Sequence, residues 1–499
     1  MATTNHYDLI VLGSDVAGLV AAALVARRGK RVLVIPHGSA DGTYRLGGKP
    51  TPLRTAPVVH MGTAPVRRVW TELGLAQQVR RQHAPLQHRM HVVFPDRRID
   101  LLPAAANIAS EAARAWPDTE HVPEAWALAQ RWADATDEVL DPLLSSDTAL
   151  VADGFWSRRF LTRVEGQLPA ADVDEMAPLD PDHDLRRAAS AVVPWLQHLD
   201  PSQLGKAAGL RLRGLWGRGP EDMPGGEAAL RRLLLQRIEL HSGEVKRELR
   251  VAELLVKRSR VVGVSLLGKR DRYGCDHVIV ATDPTRLLDG PLAPETLPRP
   301  LLEALQGVEV LAHRYVAHVE IAASGLSPAL DALTVRLPAT RGPAGVCYVR
   351  VGPGEHEDTR RLSLCRIVEA GASLDTMRES LLDELDAAGV LPFCHDHVRW
   401  MHSPHDGRPV TDAFGRPVDD RPATGSHPMD PLYALRRPAS LGIGVLPQAS
   451  GLKSMHVACR LTLPGLGLEG EFAAGTVAAG AVVGPARSPF SRSPLLSRA

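Results

Sequence analysis

Residues 7–36 read YDLIVLGSDVAGLVAAALVARRGKRVLVIP, and the order of residue types along this stretch decides the fold. Residues 9–12 are an apolar run suited to a strand buried on both faces. Gly13 ends the run, and an Ala-rich helical segment follows. Arg27, Arg28 and Gly29 supply the cationic, left-handed-tolerant end that stops a helix, and Val32–Ile35 makes a second apolar strand. Strand, glycine turn, helix and strand in this order form a βαβ unit with parallel strands.

The turn itself reads G-S-D-V-A-G, from Gly13 through Ser14 and Asp15 to Gly18. A dinucleotide fingerprint needs three glycines: one for the tight turn, one for close approach of backbone to the pyrophosphate, and one for helix–strand packing. Gly13 and Gly18 hold the first and third places, while Asp15 holds the second. A carboxylate about 4 Å from a phosphate charge is repelled by about 4 kcal/mol at an effective dielectric near 20. That is roughly three decades of affinity.

Working outward, the 499 residues are enough for about three domains, or two threaded through one another. Lys plus Arg (58) nearly cancels Asp plus Glu (57), so there is no global field to steer the chain toward nucleic acid or an acidic membrane. The five cysteines show no C-x-x-C spacing, which fits neither a disulfide framework nor a zinc ribbon. A cytoplasmic setting and no metal are the expectations. The N-terminus lacks a basic n-region, and no apolar stretch approaches the roughly 20 residues that span a bilayer. Any membrane contact is expected to be peripheral.

Composition divides the rest. Residues 1–100 read as the first part of a nucleotide-binding domain, and 101–218 as a helical insertion. Residues 219–289 resume the first domain, with a helix after Gly226, a hairpin at 257–260 and a strand at 278–281. Residues 290–435 read as a mixed-sheet substrate domain, 436–484 as the third part of the first domain, and the Ser/Pro/Arg-rich 485–499 as a disordered tail.

Two further motifs join the N-terminal unit. Pro224, Gly225 and Gly226 open a helix followed by Gly243, Glu244 and Val251. The stretch PGLGLEGEFAAG, residues 464–475, is a Pro-Gly loop leading into a small-residue helix. Taken together, these pieces resemble the FAD-dependent amine oxidase and phytoene desaturase family, in the family's order. The resemblance implies an α/β fold: a Rossmann-like FAD-binding domain built from discontinuous segments, plus an inserted α+β substrate domain. It implies an oxidoreductase of desaturase or oxidase type, moving hydride from an organic, apolar, isoprenoid or lipid substrate to flavin. The implied cofactor contacts are Gly13, Ser14, Asp15, Gly18, Gly48 and Lys49 (in LGGK, read as the loop beside the diphosphate), Val251, Arg460, Gly465, Gly467 and Leu468. It names no catalytic residue, although His60 precedes Met61 and Gly62 near where the family's chain passes the flavin. Oligomeric state is left open.

Departures from the family pattern fall where the cofactor would lie. Asp15 replaces a glycine, Pro36 replaces the acid that would hold the ribose, and Cys459-Arg460 replaces a Gly-Asp pair. Loss of a charged ribose contact costs about 1.5 to 3 kcal/mol. Asp15 and Arg460 are expected to border the same position and to form an ion pair. Two readings therefore stand: a flavoenzyme with weakened FAD binding, or a flavin-free relative serving as a binding or scaffold protein.

The remaining candidates are weaker. CHDH, residues 394–397, crowds ligand-type side chains without a second cluster to complete a coordination shell. Cys459 reads more simply as a buried structural thiol than as a redox one. GFWSRRFLTRV, residues 154–164, interleaves aromatics with cations as interfacial helices do. The commoner outcome for such a segment is a solvated helix whose Trp156 and Phe160 face the core, with Arg158, Arg159 and Arg163 in solvent.

Overall fold

A computed structural model describes residues 6–37, 39–82, 84–85, 90–101, 108–152, 154–170, 172–217, 221–268, 271–284, 297–327, 330, 332–418 and 426–484. The βαβ unit forms as the residue pattern requires. His6–Gly13 lies between Val32–Ile35 and Arg272–Ala281 and is parallel to both, with Leu9 opposite Val32 on one side and His277 on the other. Leu9, Ile10, Val11 and Leu12 are fully buried, because this central strand is covered on both faces. Glu244–Val245 extends the sheet beyond Val32–Ile35. On the other side Met455–Val457 pairs parallel with Arg272–Ala281, and an antiparallel meander of Val251–Lys257 and Arg260–Leu266 completes seven strands among the described residues. Arg258 and Ser259, both at positive φ, make the tight hairpin expected at 257–260.

The helix Val16–Arg27 is buried from Val16 to Ala26, since the sheet covers one side and the C-terminal helix Gly467–Val483 the other. Small residues set this spacing. A Cβ on Gly18 would overlap the Cβ of Ala281, and one on Gly475 would overlap the carbonyl oxygen of Ala17. The segment Pro464–Val483 is long and apolar enough to cross a bilayer, longer than the apolar run expected there, yet 78% of that apolar window is buried within the fold. Trp70 and Phe472 meet edge to face at 5.1 Å under it.

A second sheet of eight described strands centres on Val308–Ala322, which pairs with Thr359–Glu369, Val398–His402 and Asp430–Leu435. Its far edge departs from the expected boundary at residue 100. Met90–Val93 pairs parallel with Leu333–Arg336 and antiparallel with Arg98–Leu101, so this hairpin belongs to the second sheet. The apolar face of Met90, Val92, Ile99 and Leu101 is buried there beside Val335 and Tyr348. Between residues 101 and 218 lie helices Ile108–Ala115, Val122–Leu144, Phe155–Glu165, Asp184–Ser190, Val193–Leu196 and Lys206–Gly217. The tail expected to be disordered, 485–499, lies outside the described residues.

The Gly18 contact gives a direct packing test. Gly18→Ala should lower stability by about 1–3 kcal/mol through overpacking, and adding Ala281→Gly should recover most of the loss. Urea denaturation of the two variants checks this.

Candidate functional site

The site is built where the end of His6–Gly13 turns into the helix Val16–Arg27. Asp15 donates its backbone N–H to the carbonyl of Ala281 (2.9 Å), which fixes its carboxylate against the chain entering from Met455–Val457. Arg460 meets it there. Arg460 Nη2 donates to Asp15 Oδ1 at 3.2 Å, and the Arg460 backbone N–H donates to Asp15 Oδ2 at 3.3 Å. The pair expected from the sequence is in place, and both side chains are largely buried.

Arg460 also pairs with Asp430, which opens the next layer of the site. Asp430 accepts from Arg54 Nη2 and from Arg314 Nη1, each at 3.1 Å. Arg54 Nη1 reaches both oxygens of Glu227, at 2.7 and 2.8 Å. One helical turn on, Arg231 Nε donates to Glu227 at 2.7 Å, while its Nη1 donates to the carbonyl oxygen of Ser14. Glu471, from the C-terminal helix, accepts the backbone N–H of Ala17 at 3.3 Å. The free amides at a helix N-terminus are where an anionic ligand ordinarily binds. Here the carboxyl group of Glu471 takes one of them.

The electrostatics follow from burial set against neighbouring charge. Burial pushes Asp430 up, but Arg54 and Arg314 outweigh it and hold the carboxyl well below the usual range. Glu227 is likewise pushed up by burial and drawn down by Arg54 and Arg231, to about 2. Asp15 and Glu471 move the other way. Burial raises both, and Asp15 and Glu227 add like-charge repulsion at Glu471. Burial also lowers His198 and His405 to about 4, so both imidazoles are neutral at pH 7.

A second contact closes the far end. The Pro464–Leu466 turn and Gly467, at φ +54°, lie against residues 196–197, so closely that a Cβ on Gly467 would overlap the carbonyl oxygen of Leu196. The N–H of His198 donates to the carbonyl of Pro464 at 2.9 Å. Arg314 holds this segment from the other side through the carbonyls of Pro194 (2.6 Å) and Gln197. Trp195 stacks on Tyr348 at 4.4 Å, and Tyr348 donates to the carbonyl of Ala191 at 2.8 Å.

Of the residues picked out from sequence, Ser14, Asp15 and Arg460 line one cavity of about 160 Å³, together with His37, Gly42, Arg54, Arg231, His405, His427 and Asp430. The others lie elsewhere. Gly13 and Gly18 serve close packing against Ala281. Val251 is core at the edge of the first sheet, and Leu468 is core in the first turn of the C-terminal helix. A Cβ on Gly465 would lie only 3.0 Å from backbone atoms of Gly442 and Ile443. Gly48 and Lys49 correct the loop assignment: Gly47 and Gly48, both at positive φ, form the exposed two-residue turn of the hairpin Thr43–Leu46 and Lys49–Pro52. Ser39 and Gly42 flank the cavity in their stead. Pro36 is buried at the end of the second strand. His60 is 1% exposed, with neither ring nitrogen hydrogen-bonded among the described residues, and burial lowers it to about 4.

No family model matches the chain, and no curated protein matches it in sequence. Its fold is similar to that of cyclohexylamine oxidase from Brevibacterium oxydans IH-35A, at 15% identity over 95% of this chain and 98% of that one, with a TM-score of 0.55. It is similar also to putrescine oxidase bound to putrescine (15% identity, 96% and 99% covered, TM-score 0.56) and to the PF1083 protein from Pyrococcus furiosus (12%, 96% and 99%, 0.57). The chain has the fold of these proteins, two of them amine oxidases.

The residues present do not fit a flavin dinucleotide, although the fold resemblance implies one. Asp15 and Glu471 bring acidic groups to the N-terminus of the helix Val16–Arg27, the end at which a phosphate would need donors, and the Gly467 turn is covered by residues 196–197. The cavity of about 160 Å³ is also smaller than the roughly 300–1,000 Å³ of pockets for ordinary organic ligands. Sequence reasoning missed Asp430, Arg54, Glu227, Arg231, Arg314 and Glu471. Two of these had a signal: Glu227 directly follows the Pro-Gly-Gly turn, and Glu471 stands inside the quoted C-terminal motif.

Two outcomes follow from the network. Asp430→Asn removes the counter-charge shared by Arg54, Arg314 and Arg460, and should cost about 3–5 kcal/mol in denaturant unfolding. Glu471 has a raised pKa, so its contribution to stability is complete below the ordinary carboxylate value and is lost as pH rises through the raised one. Glu471→Gln cannot ionise, and its amide oxygen can still accept from Ala17. Relative to the parent, the variant should therefore gain stability between about pH 5 and about pH 8, read from melting temperatures across that range.

Proposed function

We propose that this chain is a flavin-free relative of the amine oxidase fold, working as a binding protein rather than as a redox enzyme. One observation carries the reading: in the turn that in a dinucleotide fingerprint lies against the pyrophosphate, Asp15 is ion-paired with Arg460, which is in turn paired with Asp430. What remains is a small cavity lined by guanidinium, carboxylate and imidazole groups, suited to a small polar ligand. The apolar, isoprenoid or lipid substrate implied by the sequence resemblance would meet charged groups there. The five cysteines are free and buried, which supports a reducing, cytoplasmic setting.

The competing reading, an FAD-dependent oxidoreductase acting on a small organic molecule, is favoured by the likeness to cyclohexylamine oxidase over nearly the whole chain. In that case the ion pairs would have to part and residues 196–197 would have to lift from Gly467. The protein's groups would then bind and orient FAD, which supplies the hydride-accepting chemistry.

The two readings part on a simple measurement. The purified full-length protein should show no flavin absorbance near about 450 nm, and added FAD should leave its melting temperature unchanged, since ligand linkage stabilises any true binder by about 2.7 kcal/mol at a hundredfold excess over Kd. The double variant Asp15→Gly/Arg460→Asp should remain colourless too, because Gly467 stays covered. A yellow protein, or one stabilised by FAD, would establish the oxidoreductase reading instead.

A further inference from the structure

We propose that the helix Phe155–Glu165 docks on an anionic lipid surface. This inference is independent of the fate of the cofactor groove. The helix begins at Gly154, whose N–H donates to Ser157 Oγ at 3.0 Å while the hydroxyl returns a bond to the Gly154 carbonyl, also at 3.0 Å. That clasp fixes the first turn. Leu161 and Val164 face inward, 5% and 8% exposed, and join the core beneath. The opposite side is then forced outward. Trp156, expected with Phe160 to face the core, is instead 76% exposed and meets Phe155, 66% exposed, edge to face at 5.4 Å, while Phe160 is partly buried against the core.

Phe155, Arg159 and Arg163 recur every fourth residue and so form one stripe, with Trp156 and Arg158 beside it. Arginines that are buried or half-buried, such as Arg28, Arg54, Arg68, Arg186, Arg211 and Arg378, meet carboxylates. Arg158, Arg159 and Arg163 are exposed and have no ion pair among the described residues. Glu165 is the one acidic residue of the helix.

Charge complementarity and area choose the partner. An 11-residue helix is about 16 Å long and about 10 Å wide, so its outer face falls far short of the roughly 800 Å² that each side contributes to a stable protein complex. A bilayer sets no such minimum. Two aromatic rings enter the headgroup boundary, and guanidinium groups on the same face meet lipid phosphates and carboxylates. With a net charge of +1 for the whole chain, the attraction must come from this local patch.

Co-sedimentation of the full chain with vesicles tests the proposal. Vesicles of phosphatidylcholine with about 30% phosphatidylserine should bind the protein at least tenfold more tightly than phosphatidylcholine alone, and salt near about 0.5 M should abolish the difference. Arg158→Gln/Arg159→Gln/Arg163→Gln should weaken binding about a hundredfold at low salt, at about fivefold per arginine. Phe155→Ser/Trp156→Ser should lose at least tenfold, with melting temperatures kept near the parent's in both variants because the altered side chains are exposed. Equal binding to neutral and anionic vesicles, binding unchanged in either variant, or no vesicle binding with the face taken up instead by a protein, would each overturn the proposal.

Discussion

Asp430 accepts from three guanidinium groups, those of Arg54, Arg314 and Arg460, and the rest of the site is arranged around that fact. Each of these charges loses several kcal/mol of hydration on burial, which only well-placed opposite charges offset. Through Arg460 the cluster reaches Asp15 at the fingerprint turn. Through Arg54 it reaches Glu227 and Arg231 on the Pro-Gly-Gly helix, and through Arg314 it reaches the backbone of residues 194–197. Seven segments far apart in sequence are thus tied at one point between the two sheets.

This explains why the unusual residues come as a set. Without Arg460, Asp15 would lose its directly bonded cation, and without Asp15, Arg460 would be left with Asp430 alone, a carboxylate it shares with Arg54 and Arg314. Together with Asp430 each is compensated. Glu471 belongs to the same logic. Held protonated by burial and by its acidic neighbours, it still accepts from Ala17 and so satisfies a helix amide without adding a full charge.

Much of the fold was legible because its signals are local. The continuous apolar strand of residues 9–12, the basic-glycine helix end and the hairpin at 257–260 each have a single physical reading. The site was legible only in part. Asp15 and Arg460 stood out as misfits against a known pattern, and their pairing follows from charge. Asp430 gives no such signal, since an aspartate before a proline in a loop reads as an ordinary turn residue until the fold brings three arginines to it. Gly47-Gly48 misled because paired glycines serve equally in a phosphate loop and in a two-residue hairpin turn; only the strand pairing of Leu46 with Lys49 separates the two. Trp156 misled because apolar character was read without periodicity: Leu161 and Val164 define the inward face, which Phe160 borders and Trp156 does not.

The central claim is that the groove of this oxidase fold is filled by the chain's own side chains and backbone. A crystal structure of the full-length protein, grown with millimolar FAD, tests it most directly. The account predicts Asp15 in contact with Arg460, Arg460 with Asp430, and the Leu196 carbonyl against Gly467, with no dinucleotide density between Ser14 and Arg460. Density for an adenine dinucleotide running along that line, with the ion pairs parted, would contradict it.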